Sequence, residues 1–173
     1  IGLVTMMALK AMGVSKVYVV DIMEKRLKKA LELGADGVIN GKEADAVEEV
    51  MKLTGKKGCD LAIETAGTQL TTIQTIHMTK KGSNIVLVGY SKSGEMTLPM
   101  SLVLDKELTL KTVFRYRHIY PMAIEAVAAG KINLKGIVTD VFSLDEVQKA
   151  MDYSVSNKAD IVKAVIRIAK EVK

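Results

Sequence analysis

The sequence has little cysteine, few aromatic residues and no block of charge of one sign. Cys59 is the single cysteine in 173 residues, which excludes an internal disulfide and suits a reducing, cytoplasmic compartment. Aromatic residues make up only 4% of the chain, and its 25 basic residues are interspersed with 20 acidic ones. Nucleic-acid-binding surfaces usually combine a basic stripe with stacking aromatic side chains. We therefore expect a mixed-charge surface and no nucleic-acid partner.

Long apolar runs and clusters of metal ligands are also missing. No apolar run reaches the roughly 20 residues that cross a bilayer, so we expect no membrane segment. Cys59, His77 and His118 are not spaced like metal ligands, and a catalytic zinc normally takes three protein ligands. We interpret Cys59 as a buried thiol and His77 as a surface or packed imidazole. His118 could face a cleft or serve local structure, and we predict no metal site in this chain.

The sequence does contain short apolar runs that alternate with amphipathic segments. The runs are "VYVV", "ADGVIN", "DLAIE", "NIVLVG" and "LTLKTVF". Unbroken apolar runs indicate strands that are buried on both faces, as in parallel sheets. The amphipathic segments between them would be the helices of right-handed crossovers. The pattern predicts an α/β fold with a doubly wound parallel sheet.

Two of the amphipathic segments predict helices with clear ends. "IMEKRLKKALELG" should bury Leu27, Ala30 and Leu31 and end at Gly34. "TQLTTIQTIHMTKKG" should continue as a helix to near Gly82.

The last part of the sequence has a different pattern of predicted helices and strands. Pro121 would lie in the first turn of a helix, "YPMAIEAVAAG". Ser143 with Glu146 three residues later predicts a capping box at the start of another helix. "DIVKAVIRI" would close the chain as a strand. We therefore divide the chain into residues 1–130, the sheet domain, and residues 131–173, a C-terminal segment.

The first 21 residues fit part of a dinucleotide-binding unit. Gly2 precedes an apolar helix that Gly13 ends, and the following strand finishes at Asp21. In such units the third glycine of G-x-G-x-x-G opens the first helix, and an acid about 20 residues later binds the adenosine ribose. Gly2 and Asp21 fit those two positions. We therefore expect this sequence to lack the first strand and the first two glycines of the unit.

The Asp21 carboxylate indicates a preference among cofactors. It would accept hydrogen bonds from two ribose hydroxyls and repel a 2′-phosphate, which favours NAD over NADP. Asp21 could instead be an ordinary acid at a strand end that caps the next helix. Arg26 could be a surface residue of that helix, or a cation near the adenine or the phosphates.

Several segments resemble the zinc-dependent medium-chain dehydrogenases over essentially the whole chain. The likeness is nearest to the sorbitol (L-iditol 2-) and xylitol dehydrogenase branch, of which "VFRY" is typical. The segments that carry it are "IGLVTMMALKAMG", "VYVVD", "GADGVIN", "GCDLAIETAG", "LVGY" and "TVFRYRHIYPMAIEAVAAGKI".

The resemblance implies a cofactor site and a substrate site, and it assigns no catalytic residue to this chain. Arg115 and Tyr116 would reach the hydroxyls of a polyol, although "VFRY" taken alone could be a strand end with surface side chains. The residues that would bind NAD are Ile1, Gly2, Asp21, Arg26, Val88, Gly89, Tyr90, Val113, Phe114 and Arg115.

The implied activity is hydride transfer from a secondary alcohol of a polyol to NAD, with zinc as the Lewis acid. The family holds that zinc in an amino-terminal domain that is absent from this sequence. The chain would then be the C-terminal portion of an enzyme and inactive alone, and residues 131–173 would pack on the missing domain. We also expect a homo-oligomer. The alternatives are a secondary-alcohol or threonine dehydrogenase of the same family, or a non-catalytic NAD-binding module.

Overall fold

The computed structural model describes residues 1–169 of the chain. Seven α-helices and seven β-strands alternate along them, with two short 3-10 helices at Lys135–Ile137 and Leu144–Glu146. The α-helices are α1 (Gly2–Ala11), α2 (Glu24–Glu32), α3 (Ala46–Leu53), α4 (Gln69–Met78), α5 (Met100–Asp105), α6 (Tyr120–Ala128) and α7 (Val147–Ser156). The strands are β1 (Tyr18–Asp21), β2 (Gly37–Asn40), β3 (Cys59–Glu64), β4 (Thr79–Leu87), β5 (Thr109–Thr112), β6 (Asp140–Ser143) and β7 (Ala164–Arg167).

The strand pairs among the described residues are all parallel. β1 pairs with β2, β3 pairs with β4 and β4 with β5, and β6 pairs with β7. The chain divides into two compact units. The first unit holds residues 1–2 and 41–121, and the second holds residues 3–40 and the chain from residue 122 onward. The domain boundary expected between residues 130 and 131 stays a prediction.

The core of the first unit lies between the three-stranded sheet and its helices. Ala62 of β3, Ile76 of α4 and Ile85 of β4 are buried together with Val103 of α5. Ala62 and Ile85 lie in runs that the sequence marks as apolar. Burial of the four side chains holds β3, β4 and β5 against α4 and α5.

The second unit buries the apolar face of α1 against the start of β1. Met6, Met7 and Val17 form this core, and Ile132 and Ile137 pack on it from later in the chain. Gly13 ends α1 with φ of 87°, as predicted, because glycine adopts the left-handed conformation without strain.

The prediction that Leu31 is buried was wrong. Leu27 and Ala30 of α2 are buried, but Leu31 is 50% exposed. A helix turns about 100° per residue, so Leu31 lies at the margin of the stripe that Leu27 and Ala30 define. A nine-residue helix buries only one such stripe.

The prediction that a helix continues to near Gly82 was also wrong. Helix α4 ends at Met78, and Thr79 already has an extended backbone. Thr79 pairs with Cys59 as the first residue of β4, while its hydroxyl donates to the Thr75 carbonyl over 2.6 Å. Tertiary pairing with β3 therefore overrides the helical preference of the lysines that follow.

The local signals in the last part of the chain are confirmed. Pro121 lies in the first turn of α6. Ser143 and Glu146 form the capping box that precedes α7. None of the helices that the structure describes is long and apolar enough to cross a membrane.

Candidate functional site

In the first unit, the segments that follow β3, β4 and β5 come together at one edge of the sheet. Val88 and Gly89 both donate their backbone N–H to the carbonyl oxygen of Glu64, over 2.8 and 3.0 Å. Val113 donates in the same way to the carbonyl of Leu87, over 2.9 Å. The carboxyl ends of parallel strands are where open α/β sheets bind ligands. The predicted residues 88–90 and 113–115 therefore share the edge at which a ligand is expected.

Two glycines bring the segments after β3 and β4 into backbone contact. A Cβ atom on Gly89 would lie 2.6 Å from the Cα of Gly67 and still closer to its nitrogen. A Cβ on Gly67, which has φ of 72°, would lie 2.9 Å from the carbonyl carbon of Tyr90. No side chain fits at either position. Gly89 was among the predicted residues, whereas Gly67 was missed.

The carboxylate of Glu64 fixes the loop that carries Gly67. Glu64 is only 3% exposed. Its Oε1 accepts hydrogen bonds from the N–H of Ala66 at 2.8 Å and of Gly67 at 3.0 Å, and from the Thr71 hydroxyl at 2.7 Å. Sequence reasoning missed this residue. The signal that could have found it is "ETAG", an acid at a strand end with a glycine three residues later.

Gly2 lies close to the end of β3. A Cβ on Gly2 would lie 3.2 Å from the Thr65 hydroxyl oxygen, which is tighter than an ordinary van der Waals contact. Ile1 is 79% exposed next to it. A glycine at position 2 is therefore well suited to this close approach to Thr65.

Aromatic side chains cover the ends of β4 and β5 and are open to solvent. The rings of Tyr90 and Phe114 lie 6.3 Å apart, and the guanidinium carbon of Arg115 lies 4.8 Å from the Phe114 ring centre. The rings of Tyr116 and Tyr120 meet edge to face at 5.0 Å. A side-chain hydrogen bond with Tyr116 raises the pKa of Tyr120. Tyr120 was not among the predicted site residues, although it is four residues from Tyr116.

In the second unit, Asp21 has a different role for each of its oxygens. Oδ1 accepts the N–H groups of Ile22 and Met23 over 2.7 and 2.9 Å, which fixes the turn into α2. Oδ2 lies 3.7 Å from Nη1 of Arg26. Both side chains are partly exposed, so the pair can offer an acceptor and a cation to a ligand. The N-cap of α2 is Met23 and has no side-chain hydrogen bond, so Asp21 does not cap the helix itself, and its role at a ribose stays a prediction.

The residues that the structure describes do not fit a zinc site. Within residues 1–169, no group of three or more His, Cys, Asp and Glu side chains could hold a metal ion. The Cys59 thiol instead donates to the Met78 carbonyl over 3.4 Å, and burial raises its pKa. His77 lies in the last turn of α4, and His118 has a left-handed backbone with φ of 53°.

Comparison with known proteins establishes the family. A family model described as zinc-binding dehydrogenase matches residues 1–129 of the chain. The chain therefore belongs to the zinc-binding dehydrogenase family, as the sequence resemblance predicted.

Curated relatives extend over nearly the whole chain. An uncharacterized zinc-type alcohol dehydrogenase-like protein of Escherichia coli K12 is 40% identical over 169 residues, which are 98% of this chain and 48% of that protein. A sorbitol dehydrogenase of Bacillus subtilis is 33% identical over 166 residues, covering 96% and 47%. The chain spans about half the length of the curated relatives that it matches.

Solved structures show the same fold. An Escherichia coli oxidoreductase/dehydrogenase of unknown specificity superposes with a TM-score of 0.91 at 38% identity, over 97% of this chain and 48% of that one. A 2R,3R-butanediol dehydrogenase from Bacillus subtilis gives 0.87 at 27% identity, over 96% and 48%. A Sinorhizobium meliloti structure bound to NADP gives 0.85 at 25% identity, over 95% and 48%. The predicted Rossmann-type α/β fold with parallel sheets is thus confirmed.

Proposed function

We propose that this chain is the cofactor-binding part of an NAD-dependent dehydrogenase that oxidises a secondary alcohol of a polyol. The observation that carries the proposal is the edge formed after β3, β4 and β5, where residues 88–90 and 113–115 come together. The sorbitol dehydrogenase relative and the "VFRY" segment support a polyol as substrate.

The residues of the chain fit a nicotinamide dinucleotide. Asp21 keeps Oδ2 accessible beside Arg26, which suits the hydroxyls of an adenosine ribose. Gly2 and Gly89 stand where a side chain would collide with its neighbours, so the backbone there can approach a ligand closely. Bound nicotinamide supplies a hydride acceptor for the alcohol carbon. A relative of known structure holds NADP, so the preference for NAD rests on Asp21.

The exposed residues after β5 would orient the substrate. Arg115 and Tyr116 carry hydrogen-bond donors at the carboxyl edge of the sheet, and such donors can fix polyol hydroxyls next to the nicotinamide. The backbone N–H groups of Val88 and Val113 are already used in joining the strands. These two residues would therefore bind the cofactor through their carbonyl groups.

We propose that other residues of the enzyme, outside this chain, complete its active site. A zinc ion, if the whole protein uses one, would be held by residues outside the described range 1–169. Residues 131–173 would pack on that part of the protein, and the exposure of Val141, Met151 and Val155 supports such a contact. We further propose a homo-oligomer in the cytoplasm, the compartment being supported by the half-buried thiol of Cys59.

The test is a substrate panel on the full-length natural protein. Sorbitol, xylitol, threonine and 2,3-butanediol would be assayed with NAD and with NADP, following absorbance of the reduced cofactor. We expect the highest kcat/KM for a polyol with NAD. A higher kcat/KM for threonine or butanediol would contradict the polyol assignment. Dinucleotide binding without turnover of any alcohol would indicate a non-catalytic module.

A further inference from the structure

Glu64 is a buried carboxylate that is held by hydrogen bonds. Among residues 1–169 it is the one charged residue that is buried, at 3% exposure. Burying a charge is costly unless hydrogen bonds compensate it. The hydrogen bonds of Glu64 must therefore compensate the cost of burying its carboxylate.

Those hydrogen bonds join three segments of the first unit. The carboxylate accepts from Ala66 and Gly67 in the loop after β3, and from Thr71 in the first turn of α4. The backbone carbonyl of the same residue accepts from Val88 and Gly89 at the end of β4. One residue thus connects the loop, the helix and the neighbouring strand end.

We propose that Glu64 is a positioning residue for the nicotinamide end of the dinucleotide. Its carboxylate holds Gly67 against Gly89 and Tyr90, and so fixes the backbone on which the nicotinamide half would rest. This inference rests on the function proposed above. It adds a residue that touches neither cofactor nor substrate and acts through the two glycines.

The hydrogen-bond donors of the network favour a carboxylate. Ala66, Gly67 and Thr71 all point donors at Glu64, and a carboxylate accepts at both of its oxygens. Glutamine would replace one acceptor by an NH₂ group. Because Gly67 donates to both oxygens, at 3.0 and 3.1 Å, an amide there would set one donor against another. The three hydrogen bonds to Oε1 could remain, but the clash at Oε2 should hold Gly67 less firmly even though the side chain keeps its size.

The test compares matched threonine variants of the full-length protein. Thr71→Val removes the hydroxyl that donates to Glu64, and Thr71→Ser restores it. Thr75→Val is the control, because its hydroxyl donates within α4 to the Thr72 carbonyl. Calorimetric titration would measure the affinities for NAD and for AMP, which contains only the adenosine half. Melting temperatures of all variants and of Glu64→Gln would be recorded alongside.

We expect Thr71→Val to weaken NAD binding about fivefold and Glu64→Gln about tenfold or more. Affinity for AMP should not change, Thr71→Ser should bind like the wild type, and Thr75→Val should bind NAD normally. Unchanged NAD affinity in Thr71→Val would overturn the inference, and so would an equal loss for NAD and AMP. If Glu64→Gln does not fold, the comparison of Thr71→Val with Thr71→Ser tests the inference. A wild-type protein that binds no NAD would overturn the proposed function as well.

Discussion

Lys106 donates a hydrogen bond from its ammonium group to the carbonyl oxygen of Ile76 over 2.8 Å, and a second one to the carbonyl of His77 over 2.9 Å. Both carbonyls belong to the last turn of α4, whose final carbonyl groups have no partner within the helix. A lysine from the segment before β5 therefore caps a helix 30 residues earlier in the chain. Partial burial lowers the pKa of this lysine.

Replacing this cap should destabilise the first unit. Lys106→Met keeps the aliphatic stem but removes both hydrogen bonds, and we expect a loss of about 2 kcal/mol in the free energy of unfolding. Urea unfolding followed by circular dichroism would measure it. Lys81→Met is the control, because Lys81 is an exposed lysine of β4 whose positive charge does not favour that of Lys106. An equal loss in both variants would show that the hydrogen bonds to α4 are not the cause.

The contact between Gly67 and Gly89 should tolerate no side chain. Gly89→Ala would force a Cβ into the backbone of Gly67, and we expect a loss of about 3 kcal/mol in the free energy of unfolding. Gly37→Ala is the matched control, because there a Cβ would meet only the movable ring of Tyr18 at 3.1 Å. Its free energy of unfolding should change by less than about 1 kcal/mol. A Gly89→Ala protein as stable as the wild type would refute the close contact.

Cofactor preference should follow the charge at the end of β1. The double substitution of Asp21→Ser and Ile22→Arg removes the carboxylate and adds a cation for a 2′-phosphate, so the kcat/KM ratio of NADP to NAD should rise by on the order of tenfold or more. Glu24→Ser, which removes an acid from the first turn of α2, should leave the ratio unchanged. A wild-type enzyme that uses NADP as well as NAD would show that Asp21 does not select the cofactor.

Substrate handling should depend on Arg115 more than cofactor binding does. In Arg115→Ala the donor over the Phe114 ring is lost, and we expect kcat/KM for the polyol to fall about tenfold or more. The NAD dissociation constant should change much less. Arg117→Ala, a nearby exposed arginine, serves as the control for net charge. Unchanged polyol kinetics in Arg115→Ala would make Arg115 an ordinary surface residue.

The capping box before α7 should respond to acid. A hydrogen bond from Lys149, with further ones from Ser143, lowers the pKa of Glu146 to about 2. Because the pKa is lower in the folded state, the ionised carboxylate stabilises the fold above its ordinary pKa of 4.5, and this stabilisation is lost as the pH falls towards 2.

The corresponding measurement is the melting temperature as a function of pH. Glu146→Gln should melt at a lower temperature than the wild type at neutral pH, and the two curves should converge towards pH 2. Since this carboxylate is exposed to solvent, the difference should also shrink with added salt. A difference that stays constant down to the most acidic pH would show that the charge of Glu146 does not contribute.

Much of the candidate site can be predicted from the sequence, because apolar runs indicate where the strands end. The runs before Val88 and Val113 mark two parallel strands, and parallel strands place their carboxyl ends on one edge. The predicted segments do meet there. The roles assigned to Asp21, Arg115 and Tyr116 stay predictions.

The sequence by itself determined the elements whose cause is local. The apolar run at β1, the glycine after α1 and the Ser143–Glu146 box each act within a few residues, so pattern and capping chemistry suffice to predict them. Only the tertiary structure decided where α4 gives way to β4, that Lys106 caps α4, and which groups surround Glu64. Each of these depends on backbone groups brought together from segments that are distant in sequence. A carboxylate or an ammonium group has no local preference that determines its hydrogen-bond partner. The packing of β3, β4 and β5 brings that partner into contact.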